Sequence, residues 1–251
     1  MAIDRPAAPV RLTDYAPGGV LRVAINHGNP ILAGRDAAGA PTGISVDLAR
    51  ALAARLGVAP VFLAFDRAAD VSAAADRDAW DLCFLAVDPQ RAQTIAFTRP
   101  YVGIEGRCLV PPGSAAQDAG DVLRLSLRIG AVEGSAYALH LSRAPGAAQL
   151  VLFAGLTAAV AALDAGAVDG LAGIGQAMQA LAAARPGARV LTPPFMQIRQ
   201  AMGLPEGRTA ALAHLQAFLS ATAADGTPAA IHDAPGPAPG AGWCPRQDSN
   251  L

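Results

Sequence analysis

The amino-acid sequence predicts an α/β protein in which strands and helices alternate in two successive blocks. Three observations carry that expectation. The run Leu82-Cys83-Phe84-Leu85-Ala86-Val87 is apolar without a break, as a strand covered on both faces of a parallel sheet should be. Ile44, Leu48, Ala51, Leu52 and Leu56 recur at helical spacing between two strand-like runs, residues 21–25 and 60–66, which makes a βαβ unit. From Ser126 the same alternation begins again.

Composition narrows the function classes. The chain has 251 residues, 53% hydrophobic and 16% charged, with 5% aromatic, so its cores must be built mainly from Ala, Val, Leu and Ile. Nineteen basic residues balance 20 acidic ones, which excludes the basic excess of a nucleic-acid surface. Cys83, Cys108 and Cys244 are widely spaced, without CxxC or Cys/His patterns. Neither a disulfide framework nor a metal site is therefore expected, no cofactor is implied, and Cys83 belongs to a core. No apolar run reaches the roughly 20 residues of a bilayer span. Residues 1–19 lack the basic and apolar regions of a leader. A leader already removed, a misplaced start codon and a cytoplasmic chain all remain open.

Taken in order, residues 21–25 form a first strand, and Asn26-His27-Gly28-Asn29-Pro30 a turn at its carboxyl end, where ligands gather in open α/β sheets. His27 reads as an exposed turn histidine, with a catalytic base as the sharper alternative. Residues 34–39 read as a hairpin turn. The next helix ends at Gly57 as its cap, and Asp47 supplies negative charge to its first turn rather than a ligand contact. Arg67, just after the strand at residues 60–66, either faces a ligand or lies along a solvated rim. Asp88-Pro89 ends the apolar strand and opens a short helix with Arg91 in its first turn, where N–H groups and a guanidinium together suit a carboxylate. A solvated surface arginine is the bland alternative.

The second block reads as a strand over residues 126–132, a helix over 136–142 capped by Ser135, a strand over 149–153, a helix over 156–165, and strands over 168–172 and 189–191. Gln176 opens the helix after the strand at 168–172. Residues 200–205 then pair with the first block, before a helix over 209–223. From Pro235 the chain is rich in Pro and Gly without periodicity and is expected to be disordered.

The text Val87-Asp88-Pro89-Gln90-Arg91 followed by Ile95-Ala96-Phe97-Thr98-Arg99-Pro100-Tyr101, with Gly43-Ile44-Ser45-Val46-Asp47-Leu48-Ala49 before it and Ala162-Leu163-Asp164-Ala165-Gly166-Ala167-Val168-Asp169 after it, resembles extracellular solute-binding proteins of family 3. The similarity covers roughly residues 21–231 in unbroken order. It implies a two-lobe type II periplasmic-binding-protein fold with two hinge crossings. Residues 1–104 and 196–234 form the first lobe, 105–195 the second, and 235–251 a tail. It also implies a periplasmic monomer that closes on a small anionic solute and presents it to an ABC permease in amino-acid transport.

In that resemblance Arg91 grips the carboxylate, the N–H groups of Ala86 and Asp88 assist, and Gly134 with Ser135 faces the ligand from the second lobe. Three positions depart from the family text. Asn29 replaces an aromatic clamp, Ala86 a threonine, and Ile174 the aspartate that would pair with an α-ammonium; Gln176 is the neutral substitute on offer. An ammonium without that partner would be penalised by desolvation, which argues for a carboxylate lacking an α-amino group. Two other functions stay open: a cyclohexadienyl-dehydratase-like enzyme using Glu133 and His140, and a ligand-free sensor or scaffold.

Overall fold

The computed structural model describes residues 10–29, 31–144 and 149–224. Helix α1 (Leu12–Tyr15) precedes strand β1 (Arg22–Asn26), the hairpin of β2 (Gly34–Arg35) and β3 (Pro41–Thr42), helix α2 (Ile44–Arg55), β4 (Val61–Phe65), α3 (Ala68–Ala73), β5 (Leu82–Ala86) and β6 (Ile95–Phe97). Then come β7 (Val102–Val110), α4 (Asp121–Arg124), β8 (Ile129–Val132), α5 (Ala136–Ser142), β9 (Leu150–Phe153) and α6 (Leu156–Asp164). The described chain ends with β10 (Gly170–Ile174), α7 (Gly175–Ala183), β11 (Arg189–Val190), β12 (Met196–Pro205) and α8 (Thr209–Ala224). Two compact units result: one is Val102–Gln200, the other the described residues up to Tyr101 with those from Ala201 onward.

In the first unit β4, β1 and β5 are parallel neighbours, and the end of β12 runs beside β5 with β6 antiparallel to it. All five residues of β5 are buried, as its unbroken apolar text requires. One face packs Ala24, Cys83, Leu85 and Ile95 against Val71 and Trp80, and the Trp80 indole donates to the Val71 carbonyl at 3.0 Å. Helix α2 ends in paired bonds, Val58 N–H to the Ala53 carbonyl and Gly57 N–H to that of Ala54, with Gly57 at φ +70° where a side chain would be strained. Its buried face is Ser45, Val46, Leu48, Ala49, Leu52 and Ala53, whereas Ile44, Ala51 and Leu56 are half-exposed. The buried stripe is thus displaced from the expected one, and Arg55 at the end of α2 lies over the Phe218 ring of α8 at 5.0 Å.

In the second unit β10, β8 and β9 are parallel neighbours, and β7 runs antiparallel beside β10, with β11 and the start of β12 on it. Leu109, Leu163, Val168, Leu171 and Met178 form the core. Two strands start later than expected. Strand β8 begins at Ile129 because Ser126, at φ +50°, turns the chain out of α4. Strand β10 begins at Gly170 because Asp169 is spent in a lead-in contact.

That contact occurs once in each unit. Arg22, opening β1, donates to Asp81 from its backbone N–H at 2.9 Å and its Nε at 2.8 Å, while the Asp81 N–H bonds the Arg22 carbonyl at 2.8 Å. Arg128, before β8, does the same to Asp169 at 2.8, 3.1 and 2.8 Å. Each clip ties the start of one strand to that of its parallel neighbour. In the first unit alone, Arg208 of the α8 approach adds a bond to Asp81 at 3.0 Å and another to the Tyr15 carbonyl. Residues 1–9 and the Pro/Gly-rich stretch 235–251 lie outside the described residues.

Candidate functional site

The carboxyl ends of β1, β4 and β5 gather the first set of candidate residues. Beyond β5, the Asp88 carboxylate accepts from the Gln90 N–H at 2.9 Å, an Asx turn that ends the strand as the sequence suggests. The helix expected after it is cut to a single 3₁₀ turn, Arg91–Gln93, so the dipole of a longer helix is not available to an anion here. The bland alternative fails too. Arg91 is only 2% exposed, and its guanidinium donates to the Ala86 carbonyl at 3.0 Å. Burial pulls its pKa below the ordinary value, opposed by the negative charge of Asp88, itself buried, and by Cys83. Ala86 therefore holds the guanidinium through its carbonyl. Cys83 is fully buried in the core, as expected.

Asn29 is buried, and it builds its own turn: its side-chain oxygen accepts from the Ile31 N–H at 3.3 Å and its carbonyl from those of Leu32 and Ala33, both at 3.1 Å. His27 departs from the exposed reading. Its backbone N–H donates to the Phe65 carbonyl at the end of β4 at 2.8 Å, and its Nε2 is buried. Arg67 stands just before α3 and forks onto Asp70, Nε at 3.0 Å and the terminal nitrogen at 2.7 Å. Sequence reasoning missed Asp70, although the Arg-x-x-Asp spacing at a helix start was the available signal.

The second unit positions the others at the ends of β8 and β10. Gly134 takes φ +67° to turn the chain, and Ser135 caps α5 by accepting from the Ala138 N–H at 3.1 Å, as the sequence predicts. Burial raises the Tyr137 hydroxyl pKa, partly offset by hydrogen bonds with Ser135 and with the Val132 backbone. Ile174 closes β10 at the cap position of α7, half-exposed, and Gln176 in the first turn is exposed. Glu133 is exposed, and the His140 ring lies 6.1 Å from that of Phe195. Among the described residues no cluster of His, Cys, Asp and Glu could hold a metal ion, and no helix is long and apolar enough to cross a membrane.

Two α/β units, one assembled from both ends of the described chain, are the architecture of the two-lobe type II periplasmic-binding-protein fold. Residues 21–234 match the bacterial extracellular solute-binding proteins, family 3, and the chain belongs to that family. A family of solute binders places the chain among binding proteins and not among enzymes. No curated protein matches the sequence. The fold is shared with a solute receptor for L-cysteine of Neisseria gonorrhoeae at 21% identity and TM-score 0.71, over 86% of this chain and 89% of that one. An ancestral arginine-binding protein bound to arginine aligns at 21% identity and TM-score 0.69, over 83% and 94%. A substrate-binding protein of an amino acid ABC transporter aligns at 15% identity and TM-score 0.68, over 82% and 94%.

Proposed function

We propose that the chain is the substrate-binding component of an ABC-type uptake system, working as a monomer outside the cytoplasmic membrane, and that it takes a small carboxylate-bearing solute at Arg91. The observation that carries this reading is a guanidinium 2% exposed, fixed by the Ala86 carbonyl at the carboxyl end of a central parallel strand. A guanidinium so oriented loses little freedom on taking a carboxylate bidentately. The similar structures support the reading by their descriptions, since arginine and cysteine both carry a carboxylate. Those solutes also carry an α-ammonium, and here this chain parts from them. Ile174 offers no charge where the resemblance places an aspartate, so the preferred solute is a carboxylate without an α-amino group, a dicarboxylate if Arg67 turns from Asp70 to meet it.

Calorimetry tests both halves of the proposal. Arg91→Ala should abolish binding of every carboxylate while keeping the far-UV circular dichroism of the folded parent, because the loss of binding falls on the charged hydrogen bonds of the complex. A variant that binds as tightly as the parent removes Arg91 from the site. Tight binding of a standard L-amino acid, with none of its deaminated analogue, overturns the inference from Ile174.

A further inference from the structure

His27 stands in constrained surroundings. Its backbone is pinned to the end of β4 by the bond to Phe65. The next residue, Gly28, is pressed so close to the Asp66 carbonyl that a Cβ would sit 2.6 Å from the oxygen. Its Nε2 is buried and makes no hydrogen bond among the described residues. Burial and the charge of Arg35 hold the ring's pKa below its ordinary value, with Asp66 pulling the other way, so the ring is neutral at neutral pH.

Buried polar atoms in native proteins are met by a partner, and one that is unmet within the protein calls for a group from outside it. A neutral imidazole presents at Nε2 either an N–H or a lone pair, depending on its tautomer. A hydroxyl satisfies both cases, since it donates as well as accepts. The position is also apt. Strands β1 and β5 pair in parallel at Ala24↔Cys83, and three residues beyond that pair stand His27 on one side and, on the other, Ala86, the residue that holds Arg91.

We infer that His27 Nε2 receives a hydroxyl of the bound solute, which makes the preferred ligand a hydroxy-carboxylate; this rests on the reading of Arg91 as the carboxylate anchor. The test compares acids that differ by one hydroxyl, lactate with propionate and malate with succinate, titrated into the full chain and into His27→Phe and His27→Gln. The hydroxy acid of each pair should bind about tenfold tighter to the parent, as one neutral hydrogen bond allows. His27→Phe should erase that preference while keeping the affinity for the deoxy acid, and His27→Gln should restore part of it. In imidazole nitrogen NMR, the Nε2 resonance of His27 should move with the hydroxy acid alone. Equal affinities within each pair, or an undiminished preference in the variants, overturn the His27 assignment and leave that of Arg91 standing. If no acid of either kind binds, both fall together.

Discussion

The two Arg–Asp clips are the same device at different burial, and that difference yields a measurable prediction. Asp81 is 1% exposed and accepts from the backbone and side chain of Arg22 and from Arg208, whose side chain is 13% exposed. Asp81→Asn keeps the shape and removes the charge, leaving two guanidinium groups facing a neutral amide. Breaking a buried pair from one side costs about 3–5 kcal/mol, and the 30% exposure of Arg22 argues for the lower end, about 3 kcal/mol. Asp169 is 36% exposed and its partner Arg128 41%, so solvent screens that pair and Asp169→Asn should cost about 1 kcal/mol or less. Urea unfolding followed by circular dichroism reads both values. Equal costs for the two variants, or a loss under about 1 kcal/mol for Asp81→Asn, would refute the argument that burial sets the value of the clip.

The same carboxylates fix the direction of the pH dependence. Burial pushes the Asp81 carboxyl upward, but the hydrogen bonds from Arg22 and Arg208 outweigh it and hold the pKa below the ordinary value. For Asp169 the Arg128 bond is the largest influence and burial opposes it, with the same net direction. A group depressed on folding contributes its full stability above its unfolded pKa, about 3.9, and loses it as pH falls from there through the folded value. Acid should therefore destabilise the parent below about pH 4, and the curve for Asp81→Asn should be flatter in that window.

Two further substitutions separate structural from binding roles. Ser135→Ala removes the bond to the Ala138 N–H and should cost about 1 kcal/mol in urea unfolding; no loss would mean that the cap is replaced by solvent. Arg67→Ala breaks an exposed pair with Asp70, so stability should change by less than about 1 kcal/mol. Dicarboxylate binding should weaken by about 1.5–3 kcal/mol more than monocarboxylate binding, and equal weakening in calorimetry would leave Arg67 serving Asp70 alone.

What the sequence displayed plainly was whatever depends on local pattern. The apolar run of β5, apart from Val87, which is exposed beyond its end, the helix α2, though not its full stripe, the Ser135 cap and the long α8 need only neighbours within a turn or two, and they form where the residues say. Strand β7 was harder to see, since Gly103, Gly106 and Arg107 interrupt nine residues whose identity as a strand comes from antiparallel partners in β10 and β12. Helix α1 was invisible for a similar reason: four residues have no periodicity to speak of, and what anchors them is Tyr15 buried against His214 of α8, its hydroxyl 2.7 Å from Nδ1. Of the candidate site, Arg91 was identifiable from the Asp-Pro turn and the family text, but its burial was not, because that depends on where the Ala86 carbonyl points. His27 shows the same limit. Its surroundings come from Phe65 and Asp66, far along the chain, and no local pattern announces them.

The repeated plan of the two units bears directly on what the site binds. Counting from the clipped arginines, His27 and Glu133 both stand at the fifth place, and their backbone N–H groups bond Phe65 and Phe153 at 2.8 and 2.9 Å. Gly28 and Gly134 stand at the sixth place, Asn29 and Ser135 at the seventh. Counting from the clipped aspartates, Ala86 and Ile174 both come fifth, each closing its strand. The two places where the family resemblance calls for a threonine and an aspartate are therefore equivalent, and both are apolar in this chain. The tenth place breaks the equivalence: Arg91 in the first unit answers to Gln179 in the second, exposed on α7. A cation therefore stands at the tenth place of the first unit and a neutral amide at that of the second. On the proposed reading of Arg91 as the carboxylate anchor, Ile174 at the place where the resemblance puts an aspartate predicts that a deaminated acid binds in preference to the amino acid of the same skeleton.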